Sequence, residues 1–483
     1  MRPCQDYDAI VVGAGPNGLA AAIVLARAGL RVLVREAADQ PGGGARTEPL
    51  TLPGFAHDVC SAVHPLGIAS PLFRRLPLAE HGLEWVQPPA PLAHPFDDGT
   101  AVLLERSTRA TGRQLGPDAA AWQRLMDPFV DRWQHLLADA LGPLKVPRHP
   151  LLLARFGLVA LPPTTWLTRA VFRGSRARAL FAGMAAHATL PLGRPPSAAF
   201  GMMLGLTGHA VGWPIPRGGS GNLTSALVSY LRSLRGEVLT GAPVLALDEL
   251  PRARAVLLDL TPRQILRLGG TCLPRQYRAQ LARYQYGLGT FKVDYALDAP
   301  IPWRPAEVAR AATVHLGGTL EEIHASRTRE WAGRPAERPY VLLAQPTLFD
   351  PSRAPAGKHV AWVYCHVPNA SAVDMTDRVE AQVERFAPGF RERILARHVM
   401  APADLERHNP NLIGGDINGG EATLLQLFFG PAPRPIPYAT PNPKLFVCSS
   451  STPPGGGVHG MAGYYAARLA LRRRFRGGGA QAL

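Results

Sequence analysis

A glycine pattern near the N-terminus constrains the fold of this 483-residue chain more than any other feature. Gly13, Gly15 and Gly18 follow a short apolar run, residues 9–12, whose β-branched side chains are typical of a buried strand. The small and aliphatic residues at 19–28 then predict a helix. The first glycine allows a tight turn, the second lets the backbone approach a pyrophosphate, and the third allows close helix packing. The pattern predicts a Rossmann-type dinucleotide-binding unit.

The residues around these glycines extend the pattern. Pro16 and Asn17 lie just ahead of the predicted helix and are expected to contact the dinucleotide, because the free N–H groups and positive dipole charge of the helix point at the pyrophosphate. A second strand at 31–34 precedes Glu36, which lies 36 − 18 = 18 positions after Gly18. An acidic residue about 20 positions on meets the ribose hydroxyls in such units. Strand, helix and acid together favour nucleotide binding over a glycine-rich helix start in another α/β protein.

Length and composition argue against several other classes of protein. The length predicts two or three domains. Five cysteines are scattered without a C-x-x-C pair, which argues against a disulfide framework, a zinc site or a redox-active pair. We therefore expect no metal and a reducing, cytoplasmic location. No uninterrupted apolar run of about 18 residues occurs, so no transmembrane helix is expected.

The charge balance is strongly basic, with 52 Lys+Arg against 36 Asp+Glu and a net charge of +16. The arginines are dispersed apart from a C-terminal cluster (Arg472, Arg473, Arg474 and Arg476), and no nucleic-acid module is legible, so no nucleic-acid partner is expected. Attraction to the anionic inner face of a membrane is the functional interpretation. A GC-rich genome that encodes arginine in place of lysine explains the charge equally well.

Residues 151–172 form the most apolar region outside the glycine motifs. Pro162 and Pro163 divide this region, and arginines surround it. A buried helix pair is one interpretation, because apolar stripes usually face a core. The other is a monotopic surface that dips into lipid headgroups and admits a lipophilic substrate.

The segment after Glu36 carries a resemblance to a known superfamily. Gly43, Gly44, Ala45 and Arg46 form a second glycine loop just beyond the second predicted strand. This loop resembles the flavin signature of the amine oxidase and phytoene desaturase superfamily, and residues 54–58 continue the likeness. The resemblance implies that these residues lie along FAD, which is therefore favoured over NAD.

Later segments resemble the same superfamily. Gly218 and Gly219 lie in a P-x-G-G segment that the resemblance places beside the isoalloxazine ring. Val244 matches a position whose backbone holds the adenine end. Thr261 and Pro262 follow another buried strand and join the implied FAD site. Strands that return this late imply a cofactor domain built from separated pieces.

A strand, glycine loop and helix close the chain. Gly457, Val458 and His459 precede a predicted helix at 461–475. The resemblance implies that this helix N-terminus faces the N1/O2 edge of the flavin, where it would stabilise negative charge.

The expected fold is α/β, with a Rossmann-type FAD-binding domain of discontinuous segments and an α+β substrate domain with a helical cap. The predicted FAD-binding parts are 1–76, 215–284 and 435–483. The predicted helical cap is 77–214, and the predicted substrate domain with its mixed sheet is 285–434.

Two catalytic roles are expected from these motifs. Lys292 lies in a two-faced strand that resembles one in amine oxidases, which implies a position behind the flavin with a water between Nζ and N5. The alternative is a strand lysine that reaches solvent. His459 is the best candidate proton acceptor, because imidazole titrates in the useful range, although a lone histidine is more often structural.

Over nearly the whole chain the sequence resembles the phytoene desaturase family, and within it the phytoene-dehydrogenase-related branch (the pyridine nucleotide-disulfide oxidoreductase domain-containing protein 2-like group). The resemblance implies an FAD-dependent dehydrogenase or desaturase for a lipophilic, isoprenoid or acyl substrate, with oxygen or a quinone as electron acceptor. The disulfide chemistry in that name is not supported, because the sequence contains no redox-active cysteine pair. A flavin amine oxidase and a non-catalytic flavin-binding scaffold are the alternatives. The sequence leaves the oligomeric state open.

Overall fold

The computed structural model describes residues 7–269 and 272–475, which form two large sheets covered by helices. The strands are β1 Tyr7–Val12, β2 Val32–Arg35, β3 Thr47–Glu48, β4 His57–Asp58, β5 Trp85–Val86, β6 Ala90–Pro95, β7 Ala101–Leu104, β8 Ile215–Pro216, β9 Glu237–Leu239, β10 Ala253–Leu258, β11 Gly289–Leu297, β12 Ala311–Leu316, β13 Val341–Ala344, β14 His359–Val367, β15 Ile394–Met400 and β16 Leu445–Val447. The α-helices are α1 Pro16–Arg27, α2 Pro65–Ala69, α3 Thr108–Gln114, α4 Ala119–Val130, α5 Trp133–Ala140, α6 Pro150–Ala160, α7 Thr164–Val171, α8 Ser175–Ala185, α9 Ser197–Val211, α10 Ser220–Ser233, α11 Pro262–Gly269, α12 Arg275–Ala282, α13 Leu320–Trp331, α14 Thr376–Phe386, α15 Pro402–His408, α16 Leu424–Phe429 and α17 Met461–Arg474.

The first sheet has five parallel strands in the order β16-β10-β1-β2-β9. Its strands come from three separated parts of the chain, so a discontinuous Rossmann-type unit is confirmed. The inner strands are apolar because helices cover them, and α1, α10 and α17 share one core through Ile23, Leu227 and Ala467. The carboxyl ends of β1, β2 and β10 meet at one edge, where ligands of such sheets bind.

The second sheet has seven strands in the order β15-β11-β14-β13-β12-β6-β7 and is antiparallel except for the β12–β6 pair. Alternate residues of β14 face opposite sides. Val363 and Cys365 pack in a core with α14, whereas Tyr364 packs against the helices of the cap. The predicted α/β class, with a second mixed-sheet domain, is confirmed.

The predicted helical cap differs from the structure in one respect. Two strands within it, β6 and β7, belong to the second sheet. The proline-rich stretch 87–95 predicts a linker, but all six residues of β6 are buried between β12 and β7. Burial against two partner strands overrides the local proline signal, because the register leaves Pro91 between the paired positions Ala90 and Leu92.

The apolar region at 151–172 forms α6 and α7, which meet at an angle of 97°. Among the residues described, no single helix is long and apolar enough to cross a membrane, and this bent pair passes that test only jointly. Only Leu152, Phe156 and Ala160 of α6 are buried. The interpretation as a buried helix pair therefore applies to one face of each helix only, since much of the apolar surface faces outward.

Candidate functional site

One continuous cavity of about 1780 Å³ connects the two sheets. Gly13 and Gly15 line one end, at the carboxyl edge of the first sheet, and Tyr364 lines the second sheet. Leu153 and Leu158 of α6 line the part that lies under the helical cap. The predicted nucleotide residues therefore share one space with the region predicted to hold substrate.

The glycine motifs form a close-packed end of this cavity. Gly13, Gly15, Gly43 and Gly44 line it, together with Pro16, Asn17 and Arg46. A Cβ on Gly43 would lie 3.2 Å from Gly15 Cα, and Gly43 has a φ of +55°. The two glycine loops are thus in contact, and only residues without side chains leave room for a ligand there.

Gly18 serves packing rather than contact with the cavity. It is absent from the lining, and a Cβ there would lie 2.1 Å from the Gly13 carbonyl oxygen. This agrees with the sequence-based role of the third glycine, close approach of helix and strand.

Glu36 lies on the cavity wall, and its carboxylate also braces the glycine turn. Its Oε2 accepts the Ala14 N–H at 2.7 Å, and its Oε1 accepts the Ala38 N–H at 2.9 Å. Each carboxylate oxygen keeps a further lone pair. The side chain is therefore able to accept ribose hydroxyls while it holds the loop in shape.

Asp259 is a site residue that the sequence analysis did not assign. It follows β10 and lines the cavity, and its Oδ2 accepts the Gly18 N–H at 2.9 Å. Burial raises the pKa of its carboxyl group to about 7, and the nearby Glu36 charge adds to the rise. A polar residue at the carboxyl end of a buried parallel strand next to β1 is the signal that identifies it.

Besides Gly18, five residues expected at the cofactor do not line the cavity. They are Ala45, Gly218, Gly219, Thr261 and Pro262. Their backbone groups are engaged elsewhere: the Gly218 N–H donates to Asp350 at 2.6 Å, and the Thr261 N–H donates to Asn411 at 2.9 Å.

Val244 lines the cavity from a loop, although valine is typical of strands. The Ala242 N–H donates to the Glu36 carbonyl at 2.8 Å and so anchors this loop beside β2. The neighbouring strand β9 ends at Leu239. A single valine does not distinguish an extended loop from a strand.

The C-terminal loop brings Gly457, Val458 and His459 to the cavity wall ahead of α17. Burial lowers the pKa of His459 to about 4, so the ring is neutral. Its Nδ1 accepts the Met461 N–H at 3.1 Å, which places the ring proton on Nε2. The ring has no free acceptor nitrogen, so the expectation that His459 is the proton acceptor is wrong in this geometry.

The second sheet supplies a wall that the sequence analysis did not predict. Trp362, Tyr364 and His366 are alternate residues of β14, and all three line the cavity. His366 Nε2 and Trp362 Nε1 have no hydrogen-bond partner among the described residues. The strand pattern H-V-A-W-V-Y-C-H-V alternates polar or aromatic residues with small aliphatic ones, which is the signal that was available.

Comparisons with known proteins agree with this geometry. Residues 11–76 match the family described as the NAD(P)-binding Rossmann-like domain. The chain is 28% identical to pyridine nucleotide-disulfide oxidoreductase domain-containing protein 2 of Rattus norvegicus, over 97% of this chain and 94% of that protein. It is 27% identical to the all-trans-zeta-carotene desaturase of Myxococcus xanthus, over 93% of this chain and 90% of that protein. A solved structure of a putrescine oxidase variant has a TM-score of 0.62 at 18% identity, covering 98% of this chain and 99% of that one.

The chain is a dinucleotide-binding oxidoreductase related to desaturases, and it shares the fold of the putrescine oxidase structure.

Two positions bear on the resemblance of the sequence to amine oxidases. Amine oxidases frame their substrate with aromatic residues, one of them in the C-terminal motif, whereas Val458 lines the cavity at this position. The expected position of Lys292 behind the cofactor stays a prediction, whereas the alternative of a lysine that reaches solvent is wrong. Lys292 is buried outside the lining, and its Nζ donates to Asp294.

Lys292 belongs to a buried charged cluster. Its backbone partner in the neighbouring strand is Tyr364, so its side chain shares the cavity face of the sheet. Asp294 Oδ1 lies 3.7 Å from His57 Nδ1, and Asp58 Oδ2 accepts Arg353 Nη2 at 2.9 Å. Burial raises the pKa of Asp294 to about 6 even though Lys292 lowers it. The Lys292 ammonium thus compensates a carboxylate.

Lys292→Met is accordingly expected to destabilise the fold by about 3–5 kcal/mol, since it leaves the Asp294 carboxyl group buried without its cation. Urea unfolding measures this change. The double variant Lys292→Met/Asp294→Asn removes both charges and should recover most of the loss. Wild-type stability in the single variant, or no recovery in the double variant, would refute the pairing.

Proposed function

We propose that the protein is an FAD-dependent dehydrogenase or desaturase that removes hydride from a lipophilic substrate. One observation carries this proposal: the glycine-lined end and a large apolar region form one cavity of about 1780 Å³. Sites for a single small ligand span roughly 300–1,000 Å³. The larger volume suits a dinucleotide and a long substrate held end to end.

The residues of the glycine-lined end fit FAD. The helix α1 begins there, the four lining glycines leave space for a pyrophosphate, and Glu36 faces the ribose position. Asn17 is buried, and its Oδ1 has no partner among the described residues, which suits a ligand hydroxyl or amide donor. When bound, FAD supplies the hydride acceptor. FAD is favoured over a nicotinamide cofactor because the loop of Gly43, Gly44 and Arg46 resembles the flavin signature described above.

The apolar region fits a hydrocarbon substrate. Leu153 and Phe156 of α6, Met203 and Leu204 of α9 and Leu342 of β13 line it. These side chains exclude water from the reacting C–H bond and align a long chain by shape alone. The relationship to the carotene desaturase supports such a substrate.

Formation of a C=C bond also requires a proton acceptor, and His366 replaces His459 in this proposal. Burial holds the pKa of His366 well below its usual range, so the ring is neutral. Its Nδ1 lies 3.3 Å from the Gly289 carbonyl, which places the ring proton on that nitrogen. Nε2 keeps its lone pair and has no partner among the described residues.

Glu36→Gln is expected to weaken FAD binding by roughly 1.5–3 kcal/mol, which is the worth of hydrogen bonds to a charged group. The amide keeps one acceptor oxygen, so either the Ala14 or the Ala38 N–H loses its partner. Fluorescence titration of the apoprotein with FAD measures the change. The exposed Glu80→Gln serves as a control, because Glu80 lies outside the cavity lining. Equal affinities in the wild type and Glu36→Gln would remove Glu36 from the site.

Anaerobic flavin reduction tests the reaction class. The holoenzyme is mixed with carotenoid precursors, fatty acyl compounds, amines and NADPH, and the loss of oxidised flavin absorbance is followed. We expect isoprenoid or acyl compounds to reduce the flavin and NADPH to reduce it only slowly, because one dinucleotide unit is legible and FAD occupies it. Reoxidation by oxygen and by a quinone then identifies the electron acceptor. Reduction by amines alone would establish the amine oxidase alternative, and reduction by no compound would favour the scaffold.

A further inference from the structure

The middle of the chain has an extreme charge distribution. Residues 140–236 contain eleven lysines and arginines and no aspartate or glutamate. A GC-rich genome that encodes arginine in place of lysine affects the whole chain. It does not explain why acidic residues are missing from one segment. This basic segment includes α6, α7 and the loop that precedes them.

The same segment exposes large apolar side chains. We define the apolar rim as Leu144, Val146, Leu151, Leu158, Leu161 and Trp166, which are 46% to 93% exposed. They lie within 23 consecutive positions (166 − 144 + 1 = 23) that also contain no acidic residue. A soluble surface rarely concentrates exposed leucine and tryptophan in this way, and such patches mark interaction sites.

The apolar rim continues into the cavity. Leu144, Leu158 and Leu161 are exposed and also line it, so they lie at its mouth. Two residues from other parts of the chain share both properties, Leu245 and Leu424. Leu424 begins α16, an apolar helix that contains no buried residue.

Exposed cations accompany the rim. Lys145, Arg148, Arg155 and Arg173 are exposed, and no described carboxylate lies within ion-pair distance of them. The neighbouring Arg169 and Arg176 are instead paired with Glu321 and Asp98. Unpaired cations beside exposed apolar side chains match the two components of an anionic bilayer, its headgroups and its acyl chains.

We propose that the apolar rim and the basic segment form a surface that docks on an anionic lipid bilayer. The bent pair α6–α7 lies at the depth of the headgroups, Leu151 and Trp166 enter the acyl region, and Arg148 and Arg155 contact lipid phosphates. The cavity mouth then opens toward the lipid. Docking needs neither cofactor nor substrate, whereas use of the mouth by substrate rests on the proposed function.

Sedimentation with vesicles tests the docking surface. Phosphatidylcholine vesicles with and without phosphatidylglycerol are mixed with the holoenzyme in the absence of substrate. We expect the protein to sediment with the anionic vesicles and to remain largely soluble with the neutral ones. Leu151→Asp/Leu158→Asp should reduce partitioning at least about tenfold, because both leucines lose their burial in lipid. Val373→Asp/Leu395→Asp, at exposed apolar positions outside the segment, should bind as the wild type does.

The charge component is tested by Arg148→Glu/Arg155→Glu, which alters exposed side chains only and keeps the test valid if the aspartate variant does not fold. Its binding to anionic vesicles should also fall at least about tenfold. Three results would overturn the proposal: a wild type that stays soluble with anionic vesicles, equal binding by the rim and control variants, or a vesicle-free dimer that Leu151→Asp/Leu158→Asp converts to monomer. The last result would assign the surface to a second copy of the chain. No result of this assay depends on flavin reduction.

Discussion

Replacement of Gly463 by alanine is expected to destabilise the protein by about 3 kcal/mol or more and to release the dinucleotide cofactor. Gly463 lies in α17 where this helix crosses α1, and a Cβ there would lie 1.9 Å from the Asn17 carbonyl oxygen. That oxygen belongs to the backbone of the first helical turn, so no side-chain movement relieves the overlap. Helix α1 must shift, and Asn17 lines the nucleotide end of the cavity.

Gly157→Ala is the matched control for this substitution. Gly157 also lies inside a helix, but the closest atom to an added Cβ is a leucine methyl group 3.8 Å away. Alanine at this position should stabilise the protein by roughly 0.5–1 kcal/mol, as helix propensity alone requires. Urea unfolding and flavin content report both effects. Similar stabilities for the two variants would show that α1 and α17 do not cross as closely as described.

The affinity for FAD is expected to fall by up to about tenfold for each pH unit above about pH 7, because binding takes up one proton at Asp259. The Asp259 carboxylate accepts the Gly18 N–H, at the helix terminus where the pyrophosphate of the proposed FAD would lie. Burial already raises its pKa to about 7. Two phosphate charges nearby raise this pKa further in the complex. Below pH 7 the group is protonated in both states, so the affinity becomes independent of pH there.

Asp259→Asn removes the titrating group and keeps an oxygen acceptor for the Gly18 N–H. This variant should bind FAD with nearly constant affinity across the range and more tightly than the wild type under alkaline conditions. Fluorescence titration at a series of pH values gives both curves. A flat curve for the wild type, or parallel slopes for the two proteins, would show that Asp259 does not face the phosphates.

The nucleotide half of the fold was predictable because its signals are local. Gly13, Gly15 and Glu36 belong to one strand–turn–helix–strand unit. Because this unit is local, the spacing of the three residues along the chain determines where they lie relative to one another. The strand order of the second sheet was harder to predict from the sequence. Strands β6 and β7 join it from residues 90–104, while β12, the strand that pairs with β6, begins more than 200 positions later, at Ala311.

The hydrogen-bond partners of the two predicted catalytic residues could not be predicted, for a different physical reason. Strand alternation predicts the face of the sheet on which Lys292 lies. It does not predict that the Lys292 ammonium donates a hydrogen bond to Asp294, two residues further on. Likewise, the position of His459 in a glycine loop does not reveal that the Met461 amide occupies its Nδ1. Protonation and hydrogen-bond occupancy depend on neighbours brought together by folding, and no periodicity in the sequence encodes them.

Identification of the cofactor tests the central proposal most directly. The purified protein is denatured in acid, and the released small molecules are separated and identified by mass spectrometry. Their amount is compared with the amount of protein, which a protein assay gives. We predict one intact FAD per chain in the soluble fraction, because the site holds it without a covalent bond. Nicotinamide dinucleotide in place of FAD, or apoprotein that does not take up added FAD, would contradict the account.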